Sequence, residues 1–207
     1  MRITKYEHSC LDIHDHEARL VIDPGRFSPS FTDCANIAVL ILTHVHRDHF
    51  DKETVGKIVA ANPGVMIFAP KQVADEILDA SVTVPEIGKI YEAAGFSLEF
   101  FGGEHELYDG FQNIAVLVDG TLYHPGDSYT LPHKPIKILA APAAAPWLRV
   151  TEAGEFIKSA KAQRVFPIHN ALLSPVGEEV HYRILGEAAQ AAGSDWHVLQ
   201  TGESIAI

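Results

Sequence analysis

Residues 42–50 of this 207-residue chain read Leu-Thr-His-Val-His-Arg-Asp-His-Phe, and they continue an apolar run over Ala38–Leu42. The run has the length and composition of a β-strand that is buried on both faces. Three imidazoles and one carboxylate follow it within six residues, at His44, His46, Asp48 and His49. A loop that leaves a strand end can turn all four side chains toward one point, which a regular helix or strand could not do. Because imidazole and carboxylate are ligands of zinc, manganese and iron, the stretch indicates a metal site rather than a solvated histidine-rich turn.

Three further residues stand at predicted strand ends and extend the candidate set of metal ligands. His105 and His169 each come directly after a predicted strand. Asp127 follows Gly126, which permits a tight turn that presents the carboxylate at its tip. Taken singly, each residue also has a plain structural explanation: His105 as a surface loop residue, Asp127 as a turn former and His169 as a strand-edge histidine. Taken with residues 44–49, they fit the strand exits where functional residues of such sheets gather.

The composition is that of a soluble globular protein. Apolar residues make up 47% of the chain and charged residues 21%. Sixteen Lys and Arg against 27 Asp and Glu give a net charge of −11, which disfavours binding to nucleic acid or to an anionic membrane. Two cysteines, Cys10 and Cys34, are too few for a disulfide framework or a cysteine-rich zinc module. The apolar runs are shorter than the roughly 18 residues of a membrane span.

The length predicts one domain over residues 1–207. Met1–Tyr6 lacks the apolar stretch of a secretory signal, so we expect a cytoplasmic location. The expected partner is a small-molecule substrate, without nucleic acid or membrane. A homo-oligomer is compatible with the sequence but not indicated by it.

The order of the predicted elements indicates an α/β (α+β) fold with two mixed sheets. In each half of the chain, short paired strands come first and alternating helices and strands follow. The predicted helices are Lys52–Ala61, Lys71–Asp79, Thr151–Ala160 and Glu178–Ala192. The predicted strands include Ile3–Glu7, Ser9–His14, Ala18–Ile22, Ala38–Leu42, Arg164–Pro167, His197–Gln200 and Ser204–Ile207. His14 and His16 flank a predicted hairpin turn, and we expect both to face solvent.

On these motifs the chain resembles the metallo-β-lactamase-fold superfamily of metal-dependent hydrolases, over nearly its whole length. The segment His44-x-His46-x-Asp48-His49 matches the signature of that superfamily. Arg19–Gly25 is similar to its early strand and aspartate turn, and Thr201–Ser204 is similar to its terminal hairpin. The third histidine, the bridging aspartate and the last histidine of the superfamily correspond to His105, Asp127 and His169.

This resemblance implies a four-layer αββα sandwich of two mixed β-sheets flanked by helices, with the metal site at one sheet edge. It also implies a dinuclear centre in which Asp127 bridges two divalent ions. One ion would be held by His44, His46 and His105, and the other by Asp48, His49 and His169. Zinc is the expected metal, with manganese or iron as alternatives.

Two divalent ions about 3.5–4 Å apart can lower the pKa of a shared water and polarise the electrophile. Asp48 would lie beside the bridging position, so we expect it to be catalytic, orienting the nucleophile, as well as a ligand. The seven ligands would supply two formal negative charges against four positive charges, which favours a small anionic substrate. We therefore expect a hydrolase that cleaves a phosphoester, a lactone or a related acyl bond.

The resemblance extends to the compact cytoplasmic members that include the ascorbate-6-phosphate lactonase-like group. Those proteins have a His-Ser pair early in the chain, as His8-Ser9 is here, although Glu7 stands where the group has Gly. His8 and Tyr129 are candidate substrate-binding residues, with a structural role as the alternative for each. Arg47 is a candidate for binding a substrate anion, with a surface position as the alternative. His124 is a candidate for orienting a ligand and Trp147 for lining the pocket mouth, with ordinary packing as the alternative for both.

A second class of function remains open beside the enzyme. A metal-binding or regulatory module could keep the same fold without turnover. The complete set of ligand-type residues favours the hydrolase.

Overall fold

The computed structural model of the chain describes residues 1–15, 17–107 and 110–207. Within these ranges, fourteen strands form two sheets of seven strands each, and four α-helices accompany them. The first sheet contains β1 (Arg2–Lys5), β2 (Leu11–Asp15), β3 (Ala18–Ile22), β4 (Val39–Ile41), β5 (Met66–Phe68), β6 (Val82–Thr83) and β14 (Ser204–Ala206). The second sheet contains β7 (Ile90–Ala93), β8 (Phe96–Gly102), β9 (Ile114–Val118), β10 (Leu122–His124), β11 (Ile138–Pro142), β12 (Arg164–Ile168) and β13 (Asp195–Trp196). The helices are α1 (Lys52–Ala61), α2 (Lys71–Ala74), α3 (Val150–Ala160) and α4 (Pro175–Ala191).

Both sheets are mixed, and they repeat the same pattern of pairing. The first has the order β14-β1-β2-β3-β4-β5-β6, antiparallel as far as β3 and parallel from β3 to β6. The second has the order β13-β12-β11-β10-β9-β8-β7, antiparallel from β7 to β10 and parallel from β10 to β13. Since parallel neighbours need crossovers, the helices are placed on the sheet faces.

Three apolar clusters fill the spaces between the layers of the sandwich. The central cluster joins the inner faces of the two sheets, and Val39 and Ile41 of β4 belong to it. Leu40, between them, packs in an outer cluster with Val55 and Ile58 of α1. A third cluster joins the outer face of the second sheet to α3 and α4. This arrangement confirms the predicted αββα sandwich, and it explains why the strand before the histidine-rich stretch is apolar on both faces.

Helix α1 fixes the far end of the histidine-rich stretch. Asp51 caps the helix by accepting hydrogen bonds from the backbone N–H and the hydroxyl of Thr54, at 3.0 Å and 2.8 Å. A cap of this kind stabilises a helix by about 1 kcal/mol. Residues 42–50 are therefore held between a buried strand and a capped helix start.

Besides shifts of one to three residues at the ends of other elements, the structure differs from the predicted elements at three places. Strand β13 is Asp195–Trp196 rather than His197–Gln200, because it pairs with the start of β12 and then leaves the sheet edge. The predicted helix over Lys71–Asp79 ends at Ala74, and Leu78, beyond its end, is 87% exposed. Strand β7 was not predicted, because its sequence Ile-Tyr-Glu-Ala has little strand patterning and lies at a sheet edge.

Among the described residues, no helix combines the length and the apolarity needed to cross a membrane. The central cluster is shared by both sheets, although the prediction of one domain over residues 1–207 stays a prediction.

The two sheets are joined by backbone hydrogen bonds at one edge of the sandwich. The N–H of Ile114, which begins β9, donates to Thr43 O at 2.9 Å. The N–H of His169, which follows β12, donates to His8 O at 2.9 Å. The strand exits of both sheets that carry the candidate ligands meet along this edge.

Gly25 is required where the turn after β3 crosses the histidine-rich loop. A Cβ at this position would lie 1.9 Å from Asp48 O and 2.4 Å from His49 N, which are backbone atoms that cannot yield locally. We expect Gly25→Ala to lower the free energy of unfolding by roughly 1–3 kcal/mol, as overpacking does. Chemical denaturation measures the effect.

Gly56→Ala is the matched control for Gly25→Ala. A Cβ at Gly56 meets nothing within 4 Å, and the residue lies inside α1. Because alanine favours a helix by about 1 kcal/mol over glycine, this variant should be at least as stable as the wild type. Equal destabilisation by both substitutions would contradict the steric explanation for Gly25.

Candidate metal centre

Asp23, at the end of β3, anchors the loop that carries His44 and His49. Its Oδ1 accepts from the backbone N–H of Thr43 at 2.7 Å, and its Oδ2 accepts from the Thr43 hydroxyl at 2.7 Å. Its Oδ2 also lies 2.6 Å from Nδ1 of His49. Asp23, Thr43 and His49 are all fully buried. A charged acceptor with three donors is a strong local constraint, so Asp23 fixes both ends of the loop.

The hydrogen bonds of the buried imidazoles leave one ring nitrogen available in each of three histidines. The Thr43 hydroxyl donates to Asp23, so it accepts from Nδ1–H of His44 at 3.0 Å. Nδ1–H of His49 donates to Asp23, and Nδ1–H of His169 donates to Ala144 O. In the neutral form of each ring the lone pair is then on Nε2. A metal-binding histidine characteristically donates its other N–H in this way.

Asp127 lies between two groups of imidazoles and presents one carboxylate oxygen to each. Its Oδ1 is 3.0 Å from Nε2 of His49 and 3.1 Å from Nε2 of His169. Its Oδ2 is 3.3 Å from Nε2 of His105 and 4.0 Å from Nε2 of His44. The carboxylate therefore lies between two groups of imidazole nitrogens, with one oxygen facing each group.

The turn that presents Asp127 is built around Gly126 and Asn113. Gly126 has φ +60°, and a Cβ there would lie 2.2 Å from Oδ1 of Asn113. That oxygen accepts from the backbone N–H of Asp127 at 2.9 Å, and Nδ2 of Asn113 donates to Pro125 O at 2.9 Å. The buried amide of Asn113 therefore holds the turn from β9. Sequence reasoning missed Asn113, because an asparagine before an apolar strand reads as an ordinary boundary residue.

The donor atoms suit divalent cations. The described residues form three groups in which the potential ligand atoms all lie within 4.8 Å of one another. These groups are His8, Asp48, His49 and His169; His44, His46 and His105; and His44, His49 and Asp127. Among the described residues, Nε2 of His44, His49, His105 and His169 and Oδ1 of Asp127 are buried without a well-formed hydrogen bond, although the four nitrogens lie 3.0–4.0 Å from the Asp127 oxygens. Leaving so many polar atoms unpaired would be costly in a folded protein. Cations bound by these atoms would remove that cost, and the nitrogen and oxygen donor set fits zinc, manganese or iron.

His105 is oriented differently from the other three imidazoles. Its Nδ1 accepts from the backbone N–H of Leu107 at 2.9 Å, so in the neutral ring the proton is on Nε2, facing Asp127. Binding of a cation through Nε2 would require this proton to leave Nε2. In the neutral ring the proton would then be on Nδ1, and the hydrogen bond from Leu107 would be lost.

His8 lies beneath Asp48 rather than at an open surface. Nε2 of His8 is 3.0 Å from Oδ2 of Asp48, and Nδ1 accepts from the backbone N–H of Ala171 at 3.4 Å. Since Nδ1 is an acceptor, Nε2–H donates to Asp48 and orients its carboxylate. His8 is fully buried, whereas the Asp48 side chain is 21% exposed. These contacts favour an orienting role for His8, and its predicted role in substrate binding stays a prediction.

Three residues at the centre have left-handed backbone conformations, which cost of order 1–3 kcal/mol for residues other than glycine. They are His8, Asp23 and His169, with φ between 48° and 59°. The hydrogen bond from the N–H of His169 to His8 O, at 2.9 Å, links two of them. At these three positions the chain turns sharply beside the candidate ligands.

The charges of the centre require a positive counterpart. Burial alone would raise the pKa of Asp127, but His49 and His169 beside it hold that pKa well below its usual range. Burial alone would lower the pKa of His49, yet the carboxylates of Asp127 and Asp23 raise it well above its usual range. Burial lowers the pKa of His44 well below its usual range. Without a cation, the buried carboxylates thus draw protons to the nearest imidazoles; divalent ions could supply the same charge.

The remaining candidates are placed around this centre. Nε2 of His124 is 3.1 Å from Ser9 O, and its Nδ1 accepts from the N–H of Gly126 at 3.1 Å. Both ring nitrogens are therefore hydrogen-bonded to the backbone. Arg47 is exposed. Tyr129 is half-buried and packs against Trp147, whose indole donates to Asp127 at 2.8 Å.

The sequence predicts that His14 and His16 face solvent, and the structure describes His14. His14 lies on β2 and is partly exposed, with Nε2 3.2 Å from Oδ1 of Asp12. His16 lies outside the described residues.

Comparison with known proteins identifies the family. Residues 2–169 match the family model described as the Beta-lactamase superfamily domain, and the chain therefore belongs to this superfamily. It is 30% identical over 208 residues to Protein Rv0786c of Mycobacterium tuberculosis, covering 96% of each chain. It is 25% identical over 194 residues to the UPF0173 metal-dependent hydrolase PH1671 of Pyrococcus horikoshii, covering 84% of this chain and 83% of that protein.

A solved structure supports the fold independently. The metallo-beta-lactamase fold protein YhfI of Bacillus subtilis superposes with a TM-score of 0.77 at 15% identity, over 99% of this chain and 98% of that one. The predicted superfamily and sandwich are thus confirmed. The likeness to the ascorbate-6-phosphate lactonase-like group stays a prediction.

A buried lysine braces the segment that follows His169. Nζ of Lys5 donates to Oδ1 of Asn170 at 3.2 Å and to Tyr6 O at 3.1 Å. Nδ2 of Asn170 donates in turn to Glu178 of α4 at 2.7 Å. Lys5 is 2% exposed, and burial lowers its pKa to about 8, against the opposing effects of Glu178, Glu7 and Cys10.

This lowered pKa predicts how stability depends on pH. Between about pH 8 and the ordinary lysine value near 10.5, the unfolded chain keeps a proton that folded Lys5 has lost. The free energy of unfolding should therefore rise with pH in this window, by up to about 1.4 kcal/mol per pH unit. Lys5→Met should lack this rise, so urea unfolding of both proteins from pH 7 to 10.5 should give diverging curves. Parallel curves would show that Lys5 titrates normally.

Proposed function

We propose that this protein is a dinuclear metal-dependent hydrolase. The observation that carries the proposal is the position of Asp127, with Oδ1 about 3 Å from two imidazole nitrogens and Oδ2 facing two others. A single carboxylate between two clusters of unpaired nitrogen atoms is what a bridged pair of ions requires. Membership of the superfamily and the similarity to a named metal-dependent hydrolase support the same function.

The proposed ligands divide between the two half-sites. His44, His46 and His105 hold one divalent ion, Asp48, His49 and His169 hold the other, and Asp127 bridges them. Zinc is the proposed metal, with manganese or iron as alternatives. His8 orients Asp48, and Asp23 orients His49, through the hydrogen bonds described above.

The chemistry follows from the charges and from the accessibility of Asp48. A pair of divalent ions supplies a water of lowered pKa and polarises the bond to be cleaved. Asp48 is the more exposed of the two carboxylates, at 21% against 4% for Asp127. Because Nε2–H of His8 restrains Oδ2 of Asp48, the Asp48 carboxylate can orient the attacking water and accept a proton from it. Asp48 is therefore the proposed catalytic residue.

The proposed substrate is a small anionic molecule with a phosphoester, lactone or related acyl bond. The two ligand carboxylates leave a positive charge on a pair of divalent ions, which attracts an anion even though the chain carries −11. That net charge opposes a nucleic-acid substrate. Tyr129 remains a candidate for substrate contact, and a cytoplasmic location stays a prediction.

Metal content and turnover test the proposal together. Wild type, Asp127→Ala and Asp195→Ala would be purified identically with zinc or manganese and measured by elemental mass spectrometry. Asp195 is exposed on β13, so its substitution is the matched control. We expect about two ions per chain in wild type and in the control, and a clear fall in Asp127→Ala, because the bridge is lost.

The same proteins would be tested on a panel of phosphodiesters and lactones. Metal-dependent turnover that is lost in Asp127→Ala and reduced by about 10²-fold or more in Asp48→Asn would support the assigned roles. One ion or none in supplemented wild type would overturn the dinuclear site. Two ions without turnover over the whole panel would instead favour a catalytically silent metal-binding or regulatory module.

A further inference from the structure

The segment after β11 contacts both sides of the metal centre. Residues 143–147, the alanine segment, read Ala-Ala-Ala-Pro-Trp. The carbonyl of Ala144 accepts from Nδ1–H of His169. Three residues later, Nε1–H of Trp147 donates to Oδ2 of Asp127 at 2.8 Å. One short segment thus orients a histidine of one half-site and the aspartate shared by both.

The indole adds a directional hydrogen bond to a carboxylate whose other close polar neighbours are imidazole nitrogens. Oδ1 of Asp127 lies 3.0 Å and 3.1 Å from Nε2 of His49 and His169, and Trp147 provides a well-formed hydrogen bond to Oδ2. The terminal torsion of an aspartate has a broad energy profile, so packing alone defines its carboxylate plane poorly. One fixed N–H at Oδ2 defines that plane and with it the direction in which Oδ1 points.

Trp147 is itself held in place by a column of aromatic rings. Its ring packs edge-on against Tyr129, with centroids 5.1 Å apart and planes at 72°. Tyr129 packs in turn on Phe156 of α3, at 5.4 Å. The edge-to-face pair of Trp147 and Tyr129 contributes about 0.5–1.5 kcal/mol beyond its buried area, and the Tyr129–Phe156 pair is tilted, with planes at 39°. The position of the indole N–H is therefore set by the second sheet and its helix, not by the loop alone.

The chemistry of indole makes this contact compatible with bound cations. An indole N–H is a donor only, so it can bond to the carboxylate but cannot compete for a cation. A carboxylate oxygen accepts at two positions, which leaves Oδ2 one position for an ion while Oδ1 stays open for the other. Replacing the indole by a ring without N–H would free the carboxylate without changing any ligand.

We propose that Trp147 is a positioning residue that fixes the Asp127 carboxylate in its bridging orientation. The proposal rests on the dinuclear function proposed above. It assigns to the aromatic column of Trp147, Tyr129 and Phe156 the task of setting metal affinity from outside the ligand set.

The first test compares Trp147→Phe with Trp196→Phe. Phenylalanine keeps a ring in the column and removes the N–H, while Trp196 packs near Gly186 and Tyr182 of α4 and serves as the matched control. Zinc affinity would be measured by competition with a chromophoric chelator, after confirming folding by circular dichroism. We expect Trp147→Phe to weaken binding by about 10- to 100-fold, as loss of an outer hydrogen bond to a ligand does, and the control to bind as wild type.

The second test uses the fluorescence of the two tryptophans. In Trp196→Phe the remaining indole is Trp147, and its emission should change with zinc because its carboxylate partner becomes bound to a cation. In Trp147→Phe the remaining indole is Trp196, and zinc should leave its emission unchanged. This measurement on Trp196→Phe remains informative if Trp147→Phe does not fold.

A double-mutant cycle separates positioning from a general structural role. If Trp147 acts through Asp127, adding Trp147→Phe to Asp127→Ala should not weaken zinc binding further. An additive loss, or wild-type affinity in Trp147→Phe together with zinc-insensitive emission from Trp147, would overturn this proposal. Fewer than two ions in wild type would overturn the proposed dinuclear function instead, so the two failures are distinguishable.

Discussion

The buried carboxylate of Asp23 is the interaction on which the metal centre depends. It accepts from the backbone and hydroxyl of Thr43 and from the imidazole of His49, so it determines the path of the histidine-rich loop and the tautomer of a ligand. Thr43 then passes the constraint to Nδ1 of His44. An unpaired charge at this depth would cost several kcal/mol, so the network is stable only when every donor is in place. Gly25, two residues later, allows the supporting turn to approach closely enough.

The second constraint is the contact between the two sheets. Each sheet contributes some of the candidate ligands at its strand ends, and neither sheet carries the complete set. The backbone hydrogen bonds Ile114 to Thr43 and His169 to His8 set the distance between the sheets at this edge. The central apolar cluster provides the stability that this alignment needs, since burial of each large aliphatic side chain contributes about 1.5–3 kcal/mol. The relative positions of the candidate ligands thus depend on packing far from them.

The order of the predicted elements indicated two mixed sheets, the family resemblance implied the αββα sandwich, and the candidate ligands stood out because they follow local patterns. An apolar run followed by ligand-type residues, as at residues 38–49, is visible without a structure, and Gly126 before Asp127 marks its turn. The edge strand β7 was missed because half-exposed strands carry little apolar signal. The contacts of Asn113 and Trp147 with Asp127 were out of reach for another reason: they join residues 14 and 20 positions apart through turns whose geometry no pattern encodes.

The two proposed half-sites differ in how firmly their candidate ligands are held. In one, His49 is bonded to Asp23 and His169 to Ala144, and Asp48 is restrained by His8. In the other, His46 is half-buried and the Nδ1 of His105 accepts a backbone N–H, so these rings are not arranged in the same way for a cation. Trp147 donates to Oδ2 of Asp127, the oxygen that faces this second group. The indole therefore restrains Asp127 on the side where the histidines are held least firmly by hydrogen bonds. A positioning contact on that side has the greatest effect on the orientation of the bridging carboxylate.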